Sequence, residues 1–289
     1  MPEPAPATSD APLTGIRVVS TAGNLPGPLA AARLHDLGAQ VTKVEPPSGD
    51  PLRAVAPGAY DELVAGQEVV TLDLRDGAGQ ERLRALLEEA DVLLTSSRPR
   101  SLERLGLGAD LGERHPRLVH VAIVGSSGPD ADHAGHDLTY QAATGALTPP
   151  QLPTVLLADQ AGAERAVAAV LALLLRRAGT GRGGTEEVSL AQACVAMTRT
   201  LRWGLTGPGT PLGGALPAYR LYAASDGWVA LAALEPHFLH RAMAGLGVSG
   251  TAEEFAAVFR TRTAREWEAF GVAHDIPLAA VRGAAVGAE

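Results

Sequence analysis

Apolar residues fall in short unbroken runs separated by stretches with a helical repeat, and this alternation is the first organising feature of the chain. Ile16 to Ser20 (IRVVS), Gln40 to Val44, Val69 to Leu74 (VVTLDL), Val92 to Thr95 and Leu118 to Val124 (LVHVAIV) each suit a buried strand. Between them, Thr21 to Pro28 reads as a Gly/Pro loop, Leu29 to Leu37 as a helix stopping at Gly38, and Gly79 to Ala90 as a second helix. Strands alternating with helices predict an α/β architecture, a Rossmann-like parallel sheet covered by helices on both faces.

Further along, Asp159 to Arg177 predicts a long helix with Asp159 as its N-cap, Glu164 in its early turns, two arginines at its end and Gly179 beyond. Its body is apolar nearly all round, which predicts burial on most faces. The most loop-like stretch is 204–216 (GLTGPGTPLGGAL). After it come a hairpin-like pair, Tyr219 to Ala224 and Trp228 to Ala233, around Asp226-Gly227, and helices from Pro236 to about Ala273. The predicted layout is a disordered Pro/Ala-rich tail at 1–12, a large α/β domain at 13–203, a linker at 204–216 and a smaller α+β domain at 217–289.

Composition narrows the function classes. The 24 basic side chains are outnumbered by 32 acidic ones, giving a formal charge of −8. An acidic chain argues against a nucleic-acid binder, which needs a basic stripe. Lys43 is the sole lysine, so any ammonium chemistry rests on it. The longest apolar run, Ala166 to Leu175, falls short of the ~20 residues that span a bilayer, and the N-terminus has no signal-like segment. A lone cysteine, Cys194, leaves no intrachain disulfide. The expectation is a cytoplasmic protein without membrane or nucleic-acid partners.

Candidate chemistry concentrates in a few places. The loop after the first strand, AGNLPGP, does not fit G-x-G-x-x-G, and its prolines remove donors that a pyrophosphate needs. Asp130 to Asp137 packs three carboxylates and two imidazoles into eight residues. His133 and His136 stand at i,i+3, but Gly135 between them disfavours the helix on which that spacing would bring them together, so no metal site is expected. His136 and Asp137 lead directly into the apolar stretch from Leu138, where the loop turns inward. Asp159 is explained by capping alone, yet a carboxylate at the positive end of a helix can also serve chemistry, beside N–H groups able to receive an oxyanion. Glu235, between an apolar strand and Pro236, is either a helix N-terminal charge or a group that orients an imidazole. Gly125-Ser126-Ser127-Gly128 is not a nucleophile elbow.

The run PLTGIRVVSTAGNLPGPLAAARLHDLGAQVTKVEPPSGDP resembles the N-terminus of the class III CoA-transferases, a family that includes the α-methylacyl-CoA racemases. VVTLDLRD, SSRPRSLERLGLG, HPRLVHVAIVG, AGHDLTYQAATG, LLADQAGAERAVAAVLALLLRRAGTGRGG and YRLYAASDGWVALAALEPHF follow in the same order, so the resemblance covers most of residues 12–240. It implies that the racemase motif Gly-His-Asp falls on Gly135-His136-Asp137, the catalytic Asp on Asp159 and the histidine-pairing Glu on Glu235. In the transferase branch the position matched by Asp159 carries the nucleophile, and a Tyr is common where His136 stands; His136 and Glu235 therefore favour the racemase branch.

The mechanism so implied is 1,1-proton transfer at the α-carbon of a 2-substituted acyl-CoA, with His136 and Asp159 as bases on opposite faces of an enolate. Glu235 orients His136, and the amides of the Asp159 helix receive the enolate oxygen. Coenzyme A enters as part of the substrate, with no prosthetic group and no metal. Its phosphates need local cations, for which the resemblance nominates Lys43 and Arg98, then Arg33 and Arg53. Two alternatives stand beside this reading: CoA transfer between carboxylic acids through an Asp159 anhydride, and an acyl-CoA-binding protein without activity. Relatives form interlocked dimers and continue past Arg282 through a returning segment. The expectation is thus a homodimeric, C-terminally shortened member.

Overall fold

The computed structural model describes residues 11–283, apart from 109 and 132 and the side chain of Pro99. Most of the expected tail therefore lies outside the described residues, as does Asp132; Ala11 already belongs to a turn, its carbonyl accepting from the Thr14 amide at 3.0 Å. The chain divides into two compact units, 1–197 and 198–289, a division ahead of the stretch at 204–216 that the sequence marks as a linker.

The first unit runs β1 (Arg17–Ser20), α1 (Pro26–Asp36), β2 (Gln40–Glu45), α2 (Pro51–Val55), α3 (Pro57–Val64), β3 (Glu68–Thr71), α4 (Gly77–Glu88), β4 (Val92–Thr95), α5 (Pro99–Arg104), α6 (Leu111–Arg114), β5 (Val119–Val124), α7 (Asp137–Thr144), α8 (Leu157–Thr180), β6 (Gly184–Ser189) and α9 (Leu190–Met197). The six strands pair in the order β3-β2-β1-β4-β5-β6, all parallel. Chain order reverses between β1 and β4, the switch point at which open α/β sheets leave a crevice beyond their strand ends.

Successive side chains on a strand face opposite ways. Val18, Val92, Leu94, Val119 and Val121 join the core with α1 and α8, while Val19, Val44 and Leu93 join a second core with Leu83, Leu87, Leu102 and Leu111. Burial on both faces is why these strands read as unbroken apolar runs. The edge strand β6 (GTEEVS) is exposed over Thr185 to Glu187 and carries no such run. Helix α1 starts inside the predicted loop, because prolines at 26 and 28 sit in the first turn, where a missing N–H costs nothing. A Cβ at Gly27 would stand 2.5 Å from that of Ala22, so the loop can fold onto this turn only against glycine.

The long helix differs from expectation in two respects. It buries one stripe, Ala158, Gly162, Ala163, Ala166, Val167, Val170 and Leu173, and leaves Leu171 and Leu175 exposed, so its apolar composition overstates its burial. It also begins at Leu157 with Leu156 at the N-cap position, making Asp159 its third residue.

The second unit contains α10 (Arg199–Arg202), β7 (Tyr219–Ala223), β8 (Trp228–Ala232), α11 (Pro236–Leu246), α12 (Ala252–Phe259), α13 (Ala264–His274) and β9 (Leu278–Ala280). Its antiparallel sheet, β7-β8-β9, packs Tyr222, Val229 and Leu231 against Phe255, Phe259 and Trp267. Capping boxes at Thr251/Glu254 and Thr263/Glu266 start α12 and α13.

Candidate active site

Two features of the first unit sit at the carboxyl ends of its strands. One is a crevice of about 550 Å³ lined by the loops at 21–24, 46–51, 72–75 and 96–97, which follow β1 to β4. The other is the meeting of the helix starts α7 and α8 after β5.

At α7, His136 is the N-cap residue, with its imidazole exposed. The Thr139 hydroxyl accepts from the His136 amide at 3.1 Å and donates to its carbonyl at 2.8 Å, which fixes the backbone that carries the imidazole. The next residue, Asp137, is buried, 4% exposed. Its Oδ1 accepts from the backbone amides of Ala158 at 2.7 Å and Asp159 at 3.1 Å, and its Oδ2 from Gln141 Nε2 at 2.6 Å. Asp137 thus caps α8 from outside it, the part that the sequence assigns to Asp159. The amides of Ala158 and Asp159 are consequently occupied by a carboxylate, which overturns the expectation that they are free to receive an enolate oxygen.

Relieved of capping, the Asp159 carboxylate is half-buried and is pushed up to about 6, first by burial and then by the negative charge of Asp137, with His136 pulling it part of the way back. The tertiary fold therefore brings His136 and Asp159 within reach of each other's field. Tyr140, one turn into α7, is buried, and its hydroxyl is pushed upward by burial and by Asp159 and downward by Arg98. A Cβ at Gly135 would lie 2.6 Å from that hydroxyl, and Gly125 approaches the same oxygen, so two glycines make room for the ring beside the site. Sequence reasoning missed Tyr140 and Gln141 as site residues; the spacing of Gln141 four positions after Asp137 was the available signal.

The four cations expected near phosphate are placed unequally. Lys43 lines the crevice but is buried, 2% exposed, and its Nζ lies 2.7 Å from Asp50 Oδ2, 3.3 Å from the Ala22 carbonyl and 3.7 Å from Glu45 Oε1. Asp50 also caps α2 through the Leu52 amide, and Glu45 accepts from the Tyr60 hydroxyl at 2.6 Å. Burial and the Glu45 charge push that hydroxyl up to about 12. Arg53 donates to Tyr60 at 3.0 Å and stacks on its ring. Arg33 pairs with Asp36 and Glu164 on exposed surface. Arg98 is exposed at the N-cap of α5, next to the crevice residues Ser96 and Ser97. Arg75 also lines the crevice, donating to both oxygens of Asp73 at 2.8 and 2.7 Å, and was not anticipated. Glu235 lies in the second unit as the exposed N-cap residue of α11.

A parallel sheet in this strand order is that of the open α/β class, in which ligands bind beyond the carboxyl ends of the strands. The family model for CoA-transferase family III matches residues 13–286, and the chain belongs to that family. It is 31% identical to the α-methylacyl-CoA racemase of Homo sapiens, over 88% of this chain and 74% of the human one. It is 36% identical to a probable fatty acyl-CoA transferase of Mycobacterium tuberculosis, over 64% of this chain and 52% of that protein, so it spans about half of that relative's length. The crystal structure of a hypothetical protein from M. tuberculosis superposes with a TM-score of 0.83 at 27% identity, covering 95% of this chain and 85% of the other. The protein is thus an enzyme of a family with both racemase and transferase members. Among the described residues no helix is long and apolar enough to cross a membrane.

Proposed function

We propose that the protein racemises or epimerises the α-carbon of a 2-substituted acyl-CoA by 1,1-proton transfer. The observation that carries this reading is His136 at the head of α7 lying within electrostatic reach of Asp159 in the first turn of α8, whose carboxyl is raised to about 6. A thioester acidifies its α-proton, and inversion needs one base to take that proton from one face while an acid delivers another to the opposite face. A carboxyl near 6 exchanges its proton readily at neutral pH, as does an imidazole. Each turnover leaves the pair with its proton moved from one member to the other, and proton exchange with water resets it before the next turnover. The CoA moiety is proposed to occupy the crevice beyond β1 to β4, with Arg98 at its phosphates and the Lys43 network as part of its wall. A homodimer completes the proposal.

Incubating both enantiomers of candidate 2-methylacyl-CoA thioesters in D2O tests it. Deuterium enters the α-position with epimerisation; a panel without exchange rejects the reading.

A second reading is CoA transfer between carboxylic acids through an acyl anhydride on Asp159. The half-buried position of Asp159 and the likeness to a probable fatty acyl-CoA transferase favour it. Borohydride or hydroxylamine added during turnover with acyl-CoA then modifies Asp159, whereas a racemase leaves it unmodified.

A further inference from the structure

Gln141 lies one turn beyond Asp137 on α7 and is buried, 4% exposed. Its side-chain amide nitrogen has two hydrogens, and both are used: one goes to Asp137 Oδ2 at 2.6 Å, the other to the backbone carbonyl of Val155 at 2.9 Å. Val155 immediately precedes Leu156, the N-cap residue of α8. The same two helix starts are joined a second time by Asp137, whose other oxygen holds the amides of Ala158 and Asp159. The chain enters α8 between two anchors on one turn of α7, and that turn also carries His136 at its head.

We propose that Gln141 is a positioning residue: its amide fixes the Asp137 carboxylate and the Val155 carbonyl, and thereby sets the spacing between His136 and Asp159. The role rests on the proton-transfer reading of this pair. A buried carboxylate with one oxygen unpaired is costly, so without the Gln141 donor Asp137 turns away or takes up a proton. Either change removes negative charge from beside Asp159. The charged and titratable groups that bear on this corner are His136, Asp137 and Tyr140 from α7, Cys194 from α9, and Arg98 through its effect on Tyr140. Of these, Asp137 is the one Gln141 touches. Loss of the clamp also loosens the entry to α8, and reacting groups displaced by about 1 Å lose up to about a hundredfold in rate.

The experiment compares Gln141→Met, which has similar volume and no donor, with Gln141→Glu, using the full chain with 13C-labelled aspartate carboxyls. In Gln141→Met the Asp159 midpoint is expected to fall from about 6 by roughly one pH unit. The kcat for α-proton exchange falls about tenfold or more with KM nearly unchanged. In Gln141→Glu the introduced carboxyl can still donate to Asp137 while it is protonated. That variant therefore keeps the Asp137 link but not the Val155 one at acid pH, holds the Asp159 midpoint nearer to wild type than Gln141→Met does, and adds a titration step to the Asp159 signal as the new carboxyl ionises. A packing role predicts neither result. An unmoved midpoint in Gln141→Met, or no added step in Gln141→Glu, overturns the proposal. If the variants do not fold, the wild-type protein decides: the Gln141 side-chain amide protons should exchange slowly and shift in step with the Asp159 titration, and independent behaviour overturns the assignment. These signals need no turnover. Coupled signals in a protein that never exchanges an α-proton keep the clamp and reject only the reaction.

Discussion

The carboxylate of Asp137 accepts the backbone amide hydrogen of Asp159 at 3.1 Å, so one acidic residue caps the helix whose first turn presents the other. The two carboxylates thereby divide the work that the sequence assigns to one. Asp137→Asn removes the charge and sets an amide group against the Gln141 donor. The expected loss is about 2–3 kcal/mol in urea unfolding, from a buried hydrogen-bond network left mispaired. The Asp159 midpoint should also fall from about 6. An Asp159 signal that does not move would place the cause of its raised value in burial alone.

Separate bases on two faces predict asymmetric damage. Asp159→Asn should retain α-deuterium incorporation for the enantiomer whose hydrogen faces His136 and lose it for the other, with epimerisation reduced at least about a hundredfold. His136→Gln should show the opposite preference. Proton NMR of each enantiomer in D2O reads both. Equal loss of exchange for the two enantiomers in each variant would contradict the two-base arrangement.

The raised Asp159 carboxyl fixes the sign of the pH dependence. Either direction needs one member of the pair free as base and the other protonated as acid, and the equilibrium constant holds the ratio of the two kcat/KM values the same at every pH, so both decline together as pH falls below about 6 and the pair takes up a second proton. Initial rates from each enantiomer between about pH 5 and 8 check this, and profiles without an acid limb near 6 would argue against the assignment.

His120 supplies an independent test of the first unit. Burial pushes its imidazole down from 6.5 to about 4, and its Nε2 lies 3.0 Å from the Thr95 hydroxyl. The folded state therefore binds fewer protons than the unfolded state between those values. Its contribution is present above pH 6.5 and is lost as pH falls toward about 4, up to roughly 3 kcal/mol in all. His120→Gln should flatten the acid limb of stability against pH measured by urea unfolding. An unchanged limb would assign acid sensitivity to other groups.

Lys43 shares a buried network with Asp50 and Glu45. Lys43→Met should cost about 3–5 kcal/mol, because it leaves two buried carboxylates without their cation. A phosphate contact alone would instead raise KM with stability and kcat kept. Thermal unfolding beside steady-state kinetics separates these outcomes. The substitution Arg98→Ala provides the contrast, with a higher KM and stability close to wild type.

Most of the sheet is legible in the chain alone. β4 and β5 are buried along their whole length, and a strand that meets the core on both faces is apolar at nearly every position, which makes it read as an unbroken run. The sequence determined the hairpin of the second unit through Asp226-Gly227 for the same local reason. Elements with weaker local signals escaped: the polar edge strand β6, the three-residue β9 and the short helix α7. The candidate residues His136, Asp137 and Asp159 were legible as chemistry-bearing types at motif positions. Their division of labour was not, because it depends on a hydrogen bond spanning 22 positions of chain. It takes the folded chain to make Asp137 the cap of α8, leaving Asp159 free, and to enclose Lys43 between two carboxylates. A carboxylate's function follows from which donors and charges surround it, and those neighbours come from distant parts of the sequence.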